Sequence, residues 1–337
     1  MAGGLHVAGD YTIGIGTVGA GLWFSYDGGD KWRHIYKRIN PEGNVRALHV
    51  CPDDPHRILA ASDRAGVFVS VDNGYRWELM SDVMGDQEIW SLDVDPEDPD
   101  RIYVGSRPGG FRSVDGGRSF RPMDMGMGEE CPIGVPRTTN LVVDPRDHRT
   151  VWAGVEVDGL YRSDDGGESW AHLADIGPTP FHGDIHGLVV RRGSEGDQVH
   201  ATTPFGLATS KDDGATWDWH EFGGFERGSG MPYAYCRGVF VNPSDPDTML
   251  VGVGDYIPGR IGAIERTTDG GKSWTRVDLP VDPNSTMYWM AMHPDVPDVV
   301  AAASVFGQVF LSEDAGASWA KLPDEFGEIR AVSLSPN

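Results

Sequence analysis

Between residues 44 and 80 the chain sets out four short apolar runs, each bounded by turn residues. Residues 44–51, Asn-Val-Arg-Ala-Leu-His-Val-Cys, are rich in β-formers and stop at Pro52-Asp53-Asp54-Pro55. Residues 57–62 form a second run, turned by Asp63-Arg64-Ala65-Gly66, and residues 67–70 form a third. An eight-residue hairpin then leads into the fourth, residues 77–80. The same order recurs along the chain, with turn clusters at 96–99, 145–147, 243–246 and 294–297. Strands this short, apolar on both sides, are those of sheets packed face to face.

The hairpin into each fourth strand is nearly the same eight residues, Ser-x-Asp-x-Gly-x-x-Trp. It occupies 25–32, 70–77, 113–120 (ending in Phe120), 163–170, 210–217, 267–274 (starting at Thr267) and 312–319. Its aspartates stand at 27, 72, 115, 165, 212, 269 and 314, so the spacings are 45, 43, 50, 47, 57 and 45. A period in the forties over the whole chain marks a repeat architecture with one supersecondary unit per period. Residues 1–337 therefore read as one domain. Within the turn the carboxylate can accept backbone N–H groups, the glycine permits a positive φ, and the closing aromatic can cover the seam to the next sheet. A calcium loop at Asp164-Asp165-Gly166-Gly167 is the alternative, but seven like copies argue for a shared structural cause.

The two ends complete the count. Before the first hairpin there is room for two strands, at 11–18 and 21–25, where every other repeat has three. After the last, residues 328–336 align with 44–52, 88–96 and 235–243. The C-terminal strand is thus the missing first strand of the N-terminal repeat. The sequence predicts an all-β, seven-bladed β-propeller of four-stranded antiparallel blades, closed by its own C-terminus.

These hairpins are Asp boxes, and over essentially all 337 residues the chain resembles the Asp-box, or BNR-repeat, propellers. That superfamily includes sialidases, the sortilin ectodomain, xyloglucan-active endoglucanases and the photosystem II assembly factor of oxygenic phototrophs. The resemblance implies the fold; the activities it spans are unrelated. Sialidases carry an Arg-Ile-Pro motif, whereas this chain has Arg38-Ile39-Asn40, Arg57-Ile58-Leu59 and Arg101-Ile102-Tyr103. An arginine cluster with Tyr288 and Glu88 echoes the sialidase carboxylate clamp and Tyr/Glu pair. Xyloglucanases need two opposed carboxylates, for which Glu88 and Asp184 are placed by position.

Composition narrows the partners. A net charge of −23 argues against nucleic acid and anionic membrane surfaces, which are bound by neutralising phosphates with Lys and Arg. No run of about 18 apolar residues is present to span a membrane. The start, MAGGLHVAGDYTIGIG, lacks the basic and apolar regions of a signal peptide. Cys51, Cys131 and Cys236 are odd in number and scattered, without CxxC spacing, so a cytoplasmic location with free thiols is expected.

Candidate chemistry appears when the first strands are aligned on their terminal proline. Six residues before it stand Arg46, Trp90, Thr139, His186, Arg237, Tyr288 and Arg330. Two further out stand Asn44, Glu88, Arg137, Asp184, Tyr235, Thr286 and Glu328. Alternation puts both rows on the side facing the channel. Leu48, Leu92, Leu141, Leu188 and Val239, further along, read as core. Long connections at 121–137, 171–183, 218–234 and 254–262 raise a rim over blades 3 to 6, and long loops on a rigid scaffold tend to bind.

Arg46, Arg137, Arg237 and Arg330 around one opening would repel unless acids or a ligand compensate them, which suggests an anion site. Trp90, Tyr235, Tyr288 and Phe205 offer stacking surface. His182, Asp184 and His186 fall on one side of an extended strand, but residues four apart in a strand lie about 13 Å apart. The two imidazoles would share a metal only if the chain bent at Gly183, and neither a metal nor a cofactor is assigned. The expected function is a hydrolase or lyase for an anionic or oxygen-rich small molecule. Asp184, His186 and Glu88 would move protons, with Tyr288 beside them; Arg46, Arg137, Arg237, Arg330, Trp90, Tyr235 and His182 would hold the substrate. The alternative is a non-catalytic scaffold that binds a protein partner on the same face.

Overall fold

The computed structural model describes residues 9–132, 134–173, 175–194 and 196–337. The expectation about a leader segment falls largely on residues 1–8, outside the described residues.

Seven four-stranded antiparallel sheets form a seven-bladed propeller. Blade 1 opens with the C-terminal strand Ile329–Pro336, which pairs with Tyr11–Thr17 from Tyr11↔Pro336 to Thr17↔Ile329, as the end alignment predicts. The innermost strands of blades 2 to 7 are Val45–Val50, Glu88–Val94, Arg137–Val143, Gly187–Gly193, Tyr235–Val241 and Met287–Ala291. Each packs against the innermost strand of the blades on either side, and the series closes on Ile329–Pro336. Among the described residues no helix is long and apolar enough to cross a membrane.

The core is seven separate seams. Leu22 and Phe24 of blade 1 meet Ile58, Phe68 and Trp77 of blade 2; Leu250 and Ile264 of blade 6 meet Val300, Phe310 and Trp319 of blade 7. The second strands are buried on both faces, as in Ile58–Ser62 and Val300–Ser304, because each blade is covered on two sides. The box aromatic closes the seam to the preceding blade, not the next one as the sequence suggested: Trp77 lies 5.9 Å from Phe24. The hairpin's twist carries its last residue back toward the blade already laid down.

Every box is a closed local network. At 163–170, Asp165 Oδ1 accepts from Ser163 Oγ (2.8 Å) and from the N–H groups of Glu168 (3.0 Å) and Ser169 (2.9 Å), while Oδ2 accepts from Ser169 Oγ (2.6 Å). The Ser163 hydroxyl in turn accepts the Gly167 N–H at 2.8 Å. These donors hold the carboxyl down at about 2, hydrogen bonds from Ser169 leading. Two consecutive residues adopt positive φ in each turn. The first is non-glycine three times, Asn73, Asp213 and Ala315 at 54–56°, and the second is always glycine.

Candidate active site at the propeller mouth

Arg46, Trp90, Thr139, His186, Arg237, Tyr288 and Arg330, one from each blade, line a single constriction together with Trp289, leaving about 10 Å³ of free space. Simple alternation does not produce this convergence. In six of the seven inner strands the register slips at the ring residue: Val45↔Ser62 is followed by Ala47↔Ala61, and Ile89↔Ser106 by Ser91↔Gly105. Thr139, Tyr288 and Arg330 are skipped in the same way, and Arg237 lies in the bulge of its strand. A β-bulge leaves its extra residue out of the ladder and turns it aside. Here it turns each of these side chains into the channel. His186 reaches the ring from just before its strand.

The arginines are mostly paired. Arg46 Nε meets Asp63 Oδ2 at 2.6 Å, Arg137 pairs with Glu156, and Arg330 Nε donates to Glu328 Oε1 at 2.5 Å. Arg46 and Arg137 both also lie over the Trp90 ring, their guanidinium carbons 4.4 and 4.3 Å from its centroid. The Trp90 indole N–H points to Glu88 Oε2 (3.3 Å), which lies 3.7 Å from Arg107. Burial, with Arg237 and Arg107 nearby, lowers Arg137 to about 10.

Arg237 differs. It is buried, and among the described residues no carboxylate lies within salt-bridge distance of it; its guanidinium donates instead to the Tyr288 hydroxyl at 2.5 Å. The guanidinium carbons of Arg237 and Arg330 both lie over the Tyr288 ring, 4.4 and 4.7 Å from its centroid. Burial alone would raise this phenol. The charges of Arg237, Arg330 and Arg137 outweigh it and bring Tyr288 down to about 8.

Beside this pair, His186 Nδ1 donates to the Cys236 carbonyl at 2.8 Å, which leaves Nε2 facing Asp184 Oδ2 and the Tyr235 hydroxyl, each at 3.4 Å. Burial and Arg237 lower the imidazole below its ordinary value, opposed by Asp184 and by the bond to the Cys236 carbonyl. Burial opposes ionisation of Asp184, but His186, Arg237 and Arg137 hold it below its ordinary value. Among the described residues its buried Oδ1 has no hydrogen-bond partner.

His182 is not part of this group. Residues Pro180–Gly183 form a 3₁₀ turn rather than the extended strand that alternation assumed. The His182 ring packs against Phe205 and Trp219 at 4.8 and 4.5 Å, and its Nδ1 bonds to Thr179. Two acids that matter, Asp63 and Glu156, leave no mark in the alignment of first strands. Both stand where a second strand ends, so aligning those ends in the same way would expose them. Glu156, Asp184 and His186 bring three donor atoms within 4.8 Å of one another, close enough for a metal. Glu156 is already committed to Arg137, however, and guanidinium groups supply the positive charge that an ion would bring.

Above the ring, described residues tie three of the long loops down. Ile176 and Phe222 anchor two of them in blade seams, and Asp255 Oδ1 accepts the Arg260 and Ile261 N–H groups in a third. They leave Phe181 (75% exposed) and Tyr256 (58%) on the rim.

No protein-family model matches the chain. It is 24% identical over 232 residues to the oligoxyloglucan-reducing end-specific xyloglucanase of Emericella nidulans, covering 64% of this chain and 27% of that protein. It is 25% identical over 316 residues to a xyloglucanase of Paenibacillus sp, covering 79% and 30%. The chain spans about a third of the length of the curated relatives it matches. Among solved structures, the GH74 xyloglucanase of Xanthomonas campestris superposes with a TM-score of 0.58 at 21% identity, over 83% of this chain and 45% of that one. YCF48 from Cyanidioschyzon merolae superposes with a TM-score of 0.58 at 17% identity, over 88% and 95%. The protein is a seven-bladed propeller resembling the GH74 xyloglucanases.

Proposed function

We propose that the protein is a glycosidase-like hydrolase that cleaves a sugar- or carboxylate-bearing substrate laid across the ring, beneath the rim of blades 3 to 6. The observation that carries this reading is the meeting of Asp184, His186, Arg237 and Tyr288 in a chain whose relatives are named xyloglucanases. The ring itself is too narrow to admit a sugar, so the substrate rests on it, with Phe181 and Tyr256 as stacking surface.

In this scheme ionised Asp184 takes a proton from water as the water oxygen bonds to the anomeric carbon. The bond from that carbon to the leaving oxygen breaks, and that oxygen takes the Tyr288 proton. Arg237 and Arg330 hold the resulting phenolate. The proton on Asp184 then leaves to solvent and the phenolate recovers one from solvent, so that one water is consumed; His186 Nε2, facing both Asp184 and Tyr235, positions the carboxylate. Arg237, without a carboxylate of its own, receives any substrate anion, which narrows the four-arginine clamp to one principal group. Asp184→Asn and Tyr288→Phe should each lower kcat for reducing-end release from a xyloglucan oligosaccharide by roughly 10²–10⁴-fold. No turnover of that substrate or of sialosides by the unaltered protein would overturn the assignment, as would full activity in both variants.

A second reading, a scaffold for a protein partner, is favoured by length: the chain covers 95% of YCF48 but 45% of the Xanthomonas enzyme. A YCF48 structure holds a D1 peptide. Capture of a folded partner by the rim, lost in Phe181→Ser and indifferent to Asp184→Asn, would support it over hydrolysis.

A further inference from the structure

Below the arginine ring the channel changes character. A chamber of about 160 Å³ runs beneath Trp90 and Trp289, walled by Leu92, Leu141, Leu188 and Val239. It continues into a cavity of about 460 Å³ around Leu48, Val142, Val190, Phe240 and Ala291, where the inner strands end. The larger cavity opens on the face opposite the mouth, and the ring closes the other end to about 10 Å³. In a chain of net charge −23, the described lining of both spaces contains no Asp, Glu, Lys or Arg. Leu48, expected in the core, is instead half-buried on this wall.

The polar groups are few: Ser91, Thr139 and Asn140 in the upper chamber, and His49, His293 and Ser333 in the larger cavity. His49 and His293 line the cavity, and Asp93 lies behind His49 with Oδ1 3.6 Å from its Nδ1. Burial raises Asp93 to about 7 and, with Arg57, lowers His49 to about 4, so the imidazole that lines the cavity is uncharged near neutrality. A blind, uncharged, aliphatic cavity within the usual ligand-site range of about 300–1,000 Å³, with hydrogen-bonding groups at its opening, has the form of a small-molecule site. Filling it with water leaves the aliphatic wall hydrated, and an apolar occupant relieves that cost.

We propose that the lower channel is a binding site for an uncharged, largely hydrocarbon small molecule, whose polar end meets His49 and His293 at the lower opening. The site is separate from the arginine ring and does not depend on the hydrolase reading.

The probe is N-phenyl-1-naphthylamine, uncharged and fluorescent in apolar surroundings, with decan-1-ol as competitor. One saturable site per chain is expected, displaced by decan-1-ol. Val190→Arg on blade 5 and Ala291→Arg on blade 7 should each weaken it at least tenfold, and Arg46→Gln in the ring should not. A diazirine-bearing decanol, photolysed with the unaltered protein, should label peptides containing 188–190 or 289–294. This second measurement stands even if both arginine variants fail to fold. Absence of saturable binding, affinity unchanged in folded lumen variants, or labelling confined to the outer surface would each overturn the proposal.

Discussion

Each outer turn satisfies its aspartate with donors two to four residues away, whereas the groups at the mouth reach across the chain. Asp165 is held by Ser163, Glu168 and Ser169; Arg46 finds Asp63 at 17 residues' distance, His186 finds the Cys236 carbonyl at 50, and Arg237 finds Tyr288 at 51. The turns are repeated because one local solution serves every blade. The ring differs at every blade because each of its residues answers to its own partners, on the neighbouring blade for His186 and Arg237. Both regions use carboxylates, but at the rim the carboxylate completes a turn, and at the mouth it sets the charge around an opening. The difference teaches that repetition in this chain marks structure, and departure from repetition marks chemistry.

Four measurements would break or sharpen that contrast. The largest effect is expected from deleting 328–337. This strand supplies seven paired positions and, through Ile329, Val332 and Leu334, part of the seam core between blades 7 and 1. Its loss leaves Tyr11–Thr17 as an unpaired sheet edge and opens the ring, and a thermal melt should lose its cooperative transition. Retention of that transition would mean that the blades hold without closure.

Next comes Tyr288. Its phenol is depressed in the folded protein to about 8 from an ordinary 10. The stability it adds is therefore fully present above pH 10 and is lost as the pH falls through 8. The stability gap between the unaltered protein and Tyr288→Phe should widen by roughly 2 kcal/mol from pH 8 to pH 10. Ultraviolet titration should show one tyrosine ionising early, and Arg237→Gln should move that step up toward the ordinary range. An unmoved step would remove Arg237 as its cause.

Asp165→Ala should cost ~1–3 kcal/mol by stranding turn donors, with turnover per folded molecule unchanged. Lost specific activity in well-folded protein would place the box in function. The smallest effect belongs to Arg76→Ala. Its side chain is 91% exposed and 4.0 Å from Asp72, while the Asp72 carboxylate is held by the Arg76 backbone N–H at 2.7 Å. Stability should change by less than about 0.5 kcal/mol. A larger loss would show the ion pair, rather than the turn, to be what holds the box.

Much of this molecule is legible in the chain of residues alone. The hairpin period sets seven blades, the surplus strand at the C-terminus sets the closure, and alignment on the terminal proline finds all seven residues of the ring. What the alignment does not supply is how they come to face one opening. Period-two alternation would leave them in the ladder, and the bulges at Arg46, Trp90, Thr139, Arg237, Tyr288 and Arg330 take them out of it. Nor does it pair the charges. Glu156 and Asp63 carry no signal there because they stand at the ends of adjacent strands, and His182 departs from alternation because a 3₁₀ turn replaces the strand. The direction of the box tryptophans is reversed for a related reason: which seam a side chain covers depends on how a blade twists against its neighbour.

By itself, then, the sequence determined the repeat, the blade count, the closing strand and which residue of each blade stands at the mouth. Those follow from turn chemistry and apolar patterning, whose range is a few residues. Only the tertiary structure decided that three of the ring arginines are neutralised, that Arg237 is given to a tyrosine, and that an uncharged chamber lies beneath them. Those are properties of side chains brought together from different strands and, for Arg237 and Tyr288, from different blades, where burial and Coulomb interaction act through space.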